Sequence, residues 1–193
     1  MSKPVLQIVI ASTRPGRVGL PVAQWFEQAA VAHGGFEVEV IDLAEINLPF
    51  LDEPNHPRLR QYVHQHTKDW SAVIERGDAY VFVMPEYNFG FNAVLKNAID
   101  FLNQEWHHKP VGFVSYGGIS AGTRAVQMLK QVLTGVKLVP VFTAVSIPFV
   151  AQFLDEDRKL QPNDIMTTAA ATMLDELLPL ATALESLRKP QDR

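Results

Sequence analysis

Met84-Pro85-Glu86-Tyr87-Asn88-Phe89-Gly90-Phe91-Asn92 runs directly into Ala93-Val94-Leu95-Lys96-Asn97-Ala98-Ile99-Asp100-Phe101-Leu102, and this junction decides the architecture. The residues before it, Ala79-Tyr80-Val81-Phe82-Val83, form a short apolar run rich in β-branched and aromatic side chains, the pattern of a strand buried on both faces. After it, Phe91, Val94, Leu95, Ala98, Ile99 and Leu102 repeat at the spacing of one helix stripe. Pro85 lacks a ladder donor and is expected to end the strand. Gly90, Asn88 and Asn92 suit tight turns, with Asn92 placed to cap the helix. A polar, aromatic loop at the carboxyl end of a buried parallel strand is where open α/β sheets bind ligands.

The same alternation extends in both directions. Val5 to Ile10 reads as a first strand and Val22, Trp25, Phe26, Ala29 and Ala30 as the stripe of a first helix, stopped at Gly34-Gly35. Phe36 to Asp42 alternates like an edge strand, residues 43–57 read as a long loop, and a third helix is expected over 59–74 with Leu59, Val63, Trp70, Val73 and Ile74 inward. Beyond the central junction come a strand over 109–116, a helix striped by Ala125, Met128, Leu129, Val132 and Leu133, and a β-rich stretch over 136–147. A charged flap follows over 149–162, then a last helix capped by Asn163 and kinked or ended by Pro179. Five strand–helix alternations demand parallel pairing, which gives a three-layer α/β sandwich around a five-stranded parallel sheet. Of the two natural orders, five strands favour the flavodoxin-like 2-1-3-4-5. One domain is expected over 1–187, with a frayed tail at 188–193.

Bulk properties narrow the function. The 193 residues are 47% apolar, enough for a full core, and the net charge of −4 supplies no general basic field for nucleic acid or an anionic membrane. The absence of cysteine excludes disulfides, thiolate nucleophiles and Cys-ligated metals. Neither a signal-peptide pattern nor a bilayer-length apolar run is present, so a cytoplasmic protein without membrane or nucleic-acid partners is expected.

In the 2-1-3-4-5 order three loops share one rim. The first carries Ser12, Thr13, Arg14, Gly16, Arg17, Val18 and Gly19 at the start of a helix, where free N–H groups and added guanidinium charge suit a phosphate. It lacks both the Gly-Lys-[Ser/Thr] of a Walker loop and the glycines of a dinucleotide fingerprint. The second offers Pro85, Glu86, Tyr87 and Asn88, suited to a flat heteroaromatic ring with an amide-rich edge, such as flavin. The third, Ser115-Tyr116-Gly117-Gly118, allows close backbone approach. The plainer reading of each is a solvated turn, a core aromatic or a surface charge; the convergence of three is what favours a site. Elsewhere, His64 and His66 should lie on different helix faces, Asp42 and Asp100 have no evident partners, and no metal site or Ser/His/Asp set can be assembled. Any reactivity must therefore come from a cofactor.

With these loops in hand, the chain resembles the NADPH-dependent FMN reductase family, flavodoxin-like proteins that include quinone, azo-dye and chromate reductases. The resemblance rests on Pro85-Glu86-Tyr87-Asn88 with Leu95-Lys96-Asn97-Ala98-Ile99-Asp100, on Ser12-x-Arg14-x-Gly16-Arg17, and on Gly117-Gly118 with Gly122-Thr123-Arg124; Ala11, Arg17 and Ala121 depart from the common pattern. It implies non-covalent FMN with NADPH or NADH as co-substrate and a small-molecule electron acceptor. Ser12, Arg14, Arg17, Val18 and Gly19 are implied on the phosphate side, and Pro85, Glu86, Tyr87, Asn88, Ser115, Gly117 and Gly118 along the ring. It also implies a homodimer or homotetramer. The alternative is a flavodoxin-type electron carrier without turnover of its own, against which the modest charge and the two loop arginines weigh.

Overall fold

Strand β1 (Val5–Ile10) lies between two parallel neighbours, β2 (Glu37–Asp42) and β3 (Ala79–Tyr87), and its side chains alternate between two separate cores. Leu6, Ile8 and Ile10, with Ala79, Val81 and Val83 of β3, face helices α1 (Gly19–His33) and, later in the chain, α6 (Asp164–Ala183). Val9, Tyr80, Phe82 and Met84 face the opposite layer. That layer holds α3 (Gln65–Arg76), α4 (Ala93–Asp100) and α5 (Thr123–Gly135), with the one-turn α2 (Leu43–Ile46) beside them. The computed structural model describes residues 2–188. The period-two exchange of apolar side chains between two covered faces is what makes these strands read as continuous apolar runs.

The remaining strands are β4 (Gly90–Phe91), β5 (Pro110–Tyr116), β6 (Val139–Pro140) and β7 (Val145–Ile147), and the order is β2-β1-β3-β5-β6 with β4 on β3 and β7 on β5. Over the five crossover positions this is the expected 2-1-3-4-5 sandwich. The sheet nevertheless has seven strands, because the fifth position is split and a hairpin arm is added. The split falls at Phe142 and Thr143, whose amides turn from the sheet to the Glu176 carboxylate of α6 at 3.1 and 3.0 Å.

Several expectations need correction. Pro85 does not end β3, which continues into a hairpin with β4. Backbone groups of alternate residues face the same neighbour, so Pro85 faces β1, where the Ala11 carbonyl takes the Asn92 side-chain amide in place of a ladder N–H and is not left unpaired. Helix α3 starts at Gln65, not 59: Glu53 accepts the Val63 and His64 amides at 2.8 and 3.0 Å and holds those residues outside the helix, leaving Leu59 and Val63 57% and 54% exposed. In α5 it is Val126 rather than Met128 that is buried. Pro179 does not end α6, which continues to Ala183. Asn163 does cap it, accepting the Met166 amide at 2.9 Å. Of the expected frayed tail, Arg188 ends a short helix α7 (Glu185–Arg188) and pairs with Asp78 at 2.8 Å, while 189–193 lie outside the described residues. No helix among the described residues is long and apolar enough to cross a membrane.

Candidate functional site

The carboxyl ends of β1, β3 and β5 lead into the three loops singled out from sequence, and specific bonds join them. Asn92 donates from Nδ2 to Ala11 O at 2.6 Å, tying the start of α4 to the end of β1. This corrects its expected role: Asn92 occupies the N-cap position, but its side chain does not cap. Glu86 joins the second loop to the third through Arg124, whose Nε donates to it at 2.6 Å, and Arg124 lies 3.8 Å over the Phe89 ring. Asn88 and Phe89 both adopt left-handed φ, 50° and 72°, which closes the two-residue hairpin between Tyr87 and Gly90.

In the first loop, Ser12 is buried and its Oγ has no hydrogen-bond partner among the described residues. No side chain caps α1, and the Thr13 amide finds no acceptor among the described residues. Any Cβ on Gly19 would fall on Ser12 Oγ and the Tyr116 hydroxyl, so only glycine lets both hydroxyls reach the helix start. Arg14 is exposed, and its guanidinium has no partner among the described residues. Arg17 differs: its Nη1 donates to Ser12 O at 2.6 Å and to Asp42 Oδ1 at 2.8 Å, and its Nη2 to Asp42 Oδ2. Asp42 thus has a partner after all, as does Asp100, paired with Lys96 at 2.6 Å. Val18 is half-buried at the N-cap of α1.

In the second loop Pro85 is buried, while Tyr87 and Asn88 are exposed at the rim. Glu86 is not a surface charge, its side chain being 5% exposed. Burial alone would raise its carboxyl, but hydrogen bonds from Arg124 and Ser120, the Arg124 charge and the Ala125 amide together hold it below the ordinary range. In the third loop Ser115 is fully buried and donates to Ala121 O at 2.9 Å, so its hydroxyl shapes the loop rather than facing the rim. Gly117 and Gly118 are the more open positions, with nothing within 4 Å of a Cβ at Gly118. Ala121, where the sequence departs from the family pattern, still takes a left-handed φ of 54°.

Sequence reasoning missed Tyr116. Its buried hydroxyl faces Ser12 Oγ beside Gly19 but makes no hydrogen bond of normal geometry among the described residues, and burial pushes it up to about 12, against pulls from the neighbouring Ser12 hydroxyl and from the Arg17 and Arg14 charges. Its position at the end of a strand, between two residues already singled out, was the available signal. The His64 and His66 rings do not diverge as expected: His64 precedes α3 and the two stack 5.2 Å apart. A cavity of about 550 Å³ flanks the first loop, lined by Thr13, Leu43, Asn47, Phe50, Val94 and Asn97 among others.

The sequence profile of the NADPH-dependent FMN reductases matches residues 5–152. An NAD(P)H-dependent FMN reductase of Schizosaccharomyces pombe is 37% identical over 149 residues, covering 75% of this chain and 74% of its own. The chain belongs to the NADPH-dependent FMN reductase family. It is, accordingly, an FMN-dependent NAD(P)H oxidoreductase. A further relative, an NAD(P)H-dependent FMN reductase of Saccharomyces cerevisiae, is 34% identical over 78% of this chain and 84% of its own. Among solved structures, the flavoenzyme NAD(P)H:(acceptor) oxidoreductase of Paracoccus denitrificans superposes with a TM-score of 0.73 at 19% identity, over 93% of this chain and 98% of that one, a likeness of fold.

The first loop of this FMN reductase has the chemistry that a phosphomonoester needs. An orphaned buried hydroxyl, uncapped helix amides, a glycine cradle and an uncommitted arginine all offer donors or positive charge and no competing carboxylate, since Asp42 is neutralised by Arg17.

Proposed function

We propose that FMN binds non-covalently across the three loops and that this rim is the active site. Ser12, Arg14, Val18 and Gly19, joined by Tyr116, surround the phosphate, with Arg17 in the same loop. Backbone of Pro85, Glu86, Tyr87 and Asn88 and of Gly117 and Gly118 lines the ring, with Ser115 holding the third loop in shape. The observation that carries this assignment is the buried, partnerless Ser12 Oγ at the uncapped start of α1. A buried hydroxyl left unpaired costs about 1–3 kcal/mol, a cost that a phosphate oxygen removes.

The bound group supplies two-electron chemistry between reduced nicotinamide and an acceptor. The protein's own part is to bind and orient. Tyr116, held neutral by burial, donates without carrying charge at neutral pH. The Glu86–Arg124 pair fixes the second loop against the third. No described side chain at the rim is poised as a general acid or base, Glu86 being committed to Arg124. Quinones and azo compounds are the acceptor classes we favour, because relatives include a potato NAD(P)H:quinone oxidoreductase and a staphylococcal FMN-dependent NADPH-azoreductase.

The working unit is one domain that includes Arg188 of α7, in a cytoplasmic homodimer or homotetramer. Apolar Phe50, 86% exposed, and its neighbour Leu51 stand on the segment that lines the flanking cavity, surface that a second copy covers. The test is to purify the protein, identify the yellow chromophore that acid releases, and follow NADPH or NADH oxidation with a quinone. Released FMN and steady oxidation support the reading; a colourless protein that takes up no added FMN refutes it. Flavin uptake without turnover of reduced nicotinamide favours the carrier instead.

A further inference from the structure

We infer that Asp42 is a positioning residue for the cofactor phosphate, acting through Arg17, and that Arg17 shapes the phosphate loop rather than ligating the phosphate. The inference rests on the FMN site proposed above. Arg17 and Asp42 form a bidentate ion pair with side chains 15% and 10% exposed. From the same guanidinium, Nη1 also donates to Ser12 O at 2.6 Å. Three of its five N–H donors, both on Nη1 and one on Nη2, are therefore taken by protein acceptors, whereas those of Arg14 are taken by none among the described residues.

The geometry says what this clasp does. In a trans peptide the carbonyl and the next N–H point in opposite directions. Pinning the Ser12 carbonyl to Arg17 thus turns the Thr13 N–H away from the clasp, and that amide has no acceptor among the described residues. Asp42 is itself fixed at the end of β2, where its Oδ1 also accepts the Ala44 amide at 2.9 Å and caps α2. The end of an edge strand thereby sets the conformation of a loop on its neighbour, and a preformed loop binds without paying to be ordered.

The two roles for Arg17 predict opposite signs. If Arg17 ligated the phosphate, Asp42→Asn would release it and remove a nearby negative charge, so FMN binding would hold or tighten. On the clasp account Asp42→Asn, which keeps an acceptor for the Ala44 amide, loosens the Ser12–Thr13 peptide and weakens FMN by about tenfold, the scale of one charge-assisted bond. Riboflavin, which lacks the phosphate, serves as control for both the fold and the ring site.

The experiment is a titration of apoprotein with FMN and with riboflavin, read by flavin fluorescence, for wild type, Asp42→Asn, Arg17→Ala and the double variant. The expected result is FMN weakened in both single variants, riboflavin unchanged within about twofold, and no further loss in the double variant because the two residues act as one unit. Equal or tighter FMN binding by Asp42→Asn overturns the inference, as does equal weakening of both flavins or additive loss in the double variant. Wild-type protein that binds riboflavin and FMN equally sinks the phosphate site itself, a failure distinct from that of the clasp.

Discussion

Ser12→Ala separates a cofactor-binding hydroxyl from a structural one, because the two predict opposite changes in the apoprotein. The Ser12 residue is 1% exposed and its Oγ has no partner among the described residues. A buried hydroxyl in that state is destabilising by about 1–3 kcal/mol relative to an apolar replacement of similar shape. Taking about 1 kcal/mol, since the vacated space is small, the apoprotein should melt about 2–4 °C higher on substitution, the scale for a chain of this size. In the FMN complex the same oxygen donates to a charged phosphate, a bond worth about 1.5–3 kcal/mol, so FMN affinity should fall roughly 10- to 150-fold. Melting of flavin-free protein followed by circular dichroism gives the first quantity, and quenching of flavin fluorescence on titration gives the second. Apoprotein that melts lower while its FMN affinity is unchanged would refute the reasoning, because it would mean that the hydroxyl serves the fold.

Gly19→Ala puts a methyl onto Ser12 Oγ and the Tyr116 hydroxyl, and overpacking of this kind costs about 1–3 kcal/mol; FMN titration should show at least about tenfold weaker binding, and unchanged affinity would count against the cradle. Glu86 titrates below its ordinary value of 4.5, so its contribution is fully present above that pH and is lost as pH falls through its lowered folded value. Glu86→Gln should therefore flatten the acid limb of a stability-against-pH profile, and an unchanged limb contradicts the pairing with Arg124. Lys109, buried and donating to Ile74 O at 2.9 Å and Glu75 O at 3.1 Å, is lowered from 10.5 to about 8, chiefly by burial. Between about 8 and 10.5 the unfolded chain binds the extra proton, so this residue's contribution to stability rises with pH there. Denaturant melts of wild type against Lys109→Met should diverge across that window, and parallel profiles would contradict it.

Much of the fold was legible because the strands are buried on both faces and the helices carry one stripe each. That pattern survives without tertiary information for β1, β3 and β5, for α1, and for the Leu95, Ala98 and Ile99 face of α4. Two of the failures share a cause: distant side chains took over backbone groups. Glu53 holds Val63 and His64 out of α3, and Glu176 draws Phe142 and Thr143 out of the last strand position. Neither carboxylate lies near its target in sequence. At the site, the loops were identifiable from composition and topology, but the division of labour within them was not. Arg14 and Arg17 look alike as letters, and only the arrival of Asp42 from β2 distinguishes the free guanidinium from the committed one. Ser115 was likewise assigned to the rim and Tyr116 passed over, whereas strand alternation sends the first hydroxyl to Ala121 and the second to the start of α1.

The most direct measurement is a crystal structure of the protein with FMN bound. The account predicts the phosphate within hydrogen-bond distance of Ser12 Oγ and the Thr13 amide, with the isoalloxazine against the backbone of residues 85–88 and 117–118. A flavin seated instead in the cavity between α2 and α4, or a phosphate remote from Ser12, would contradict it.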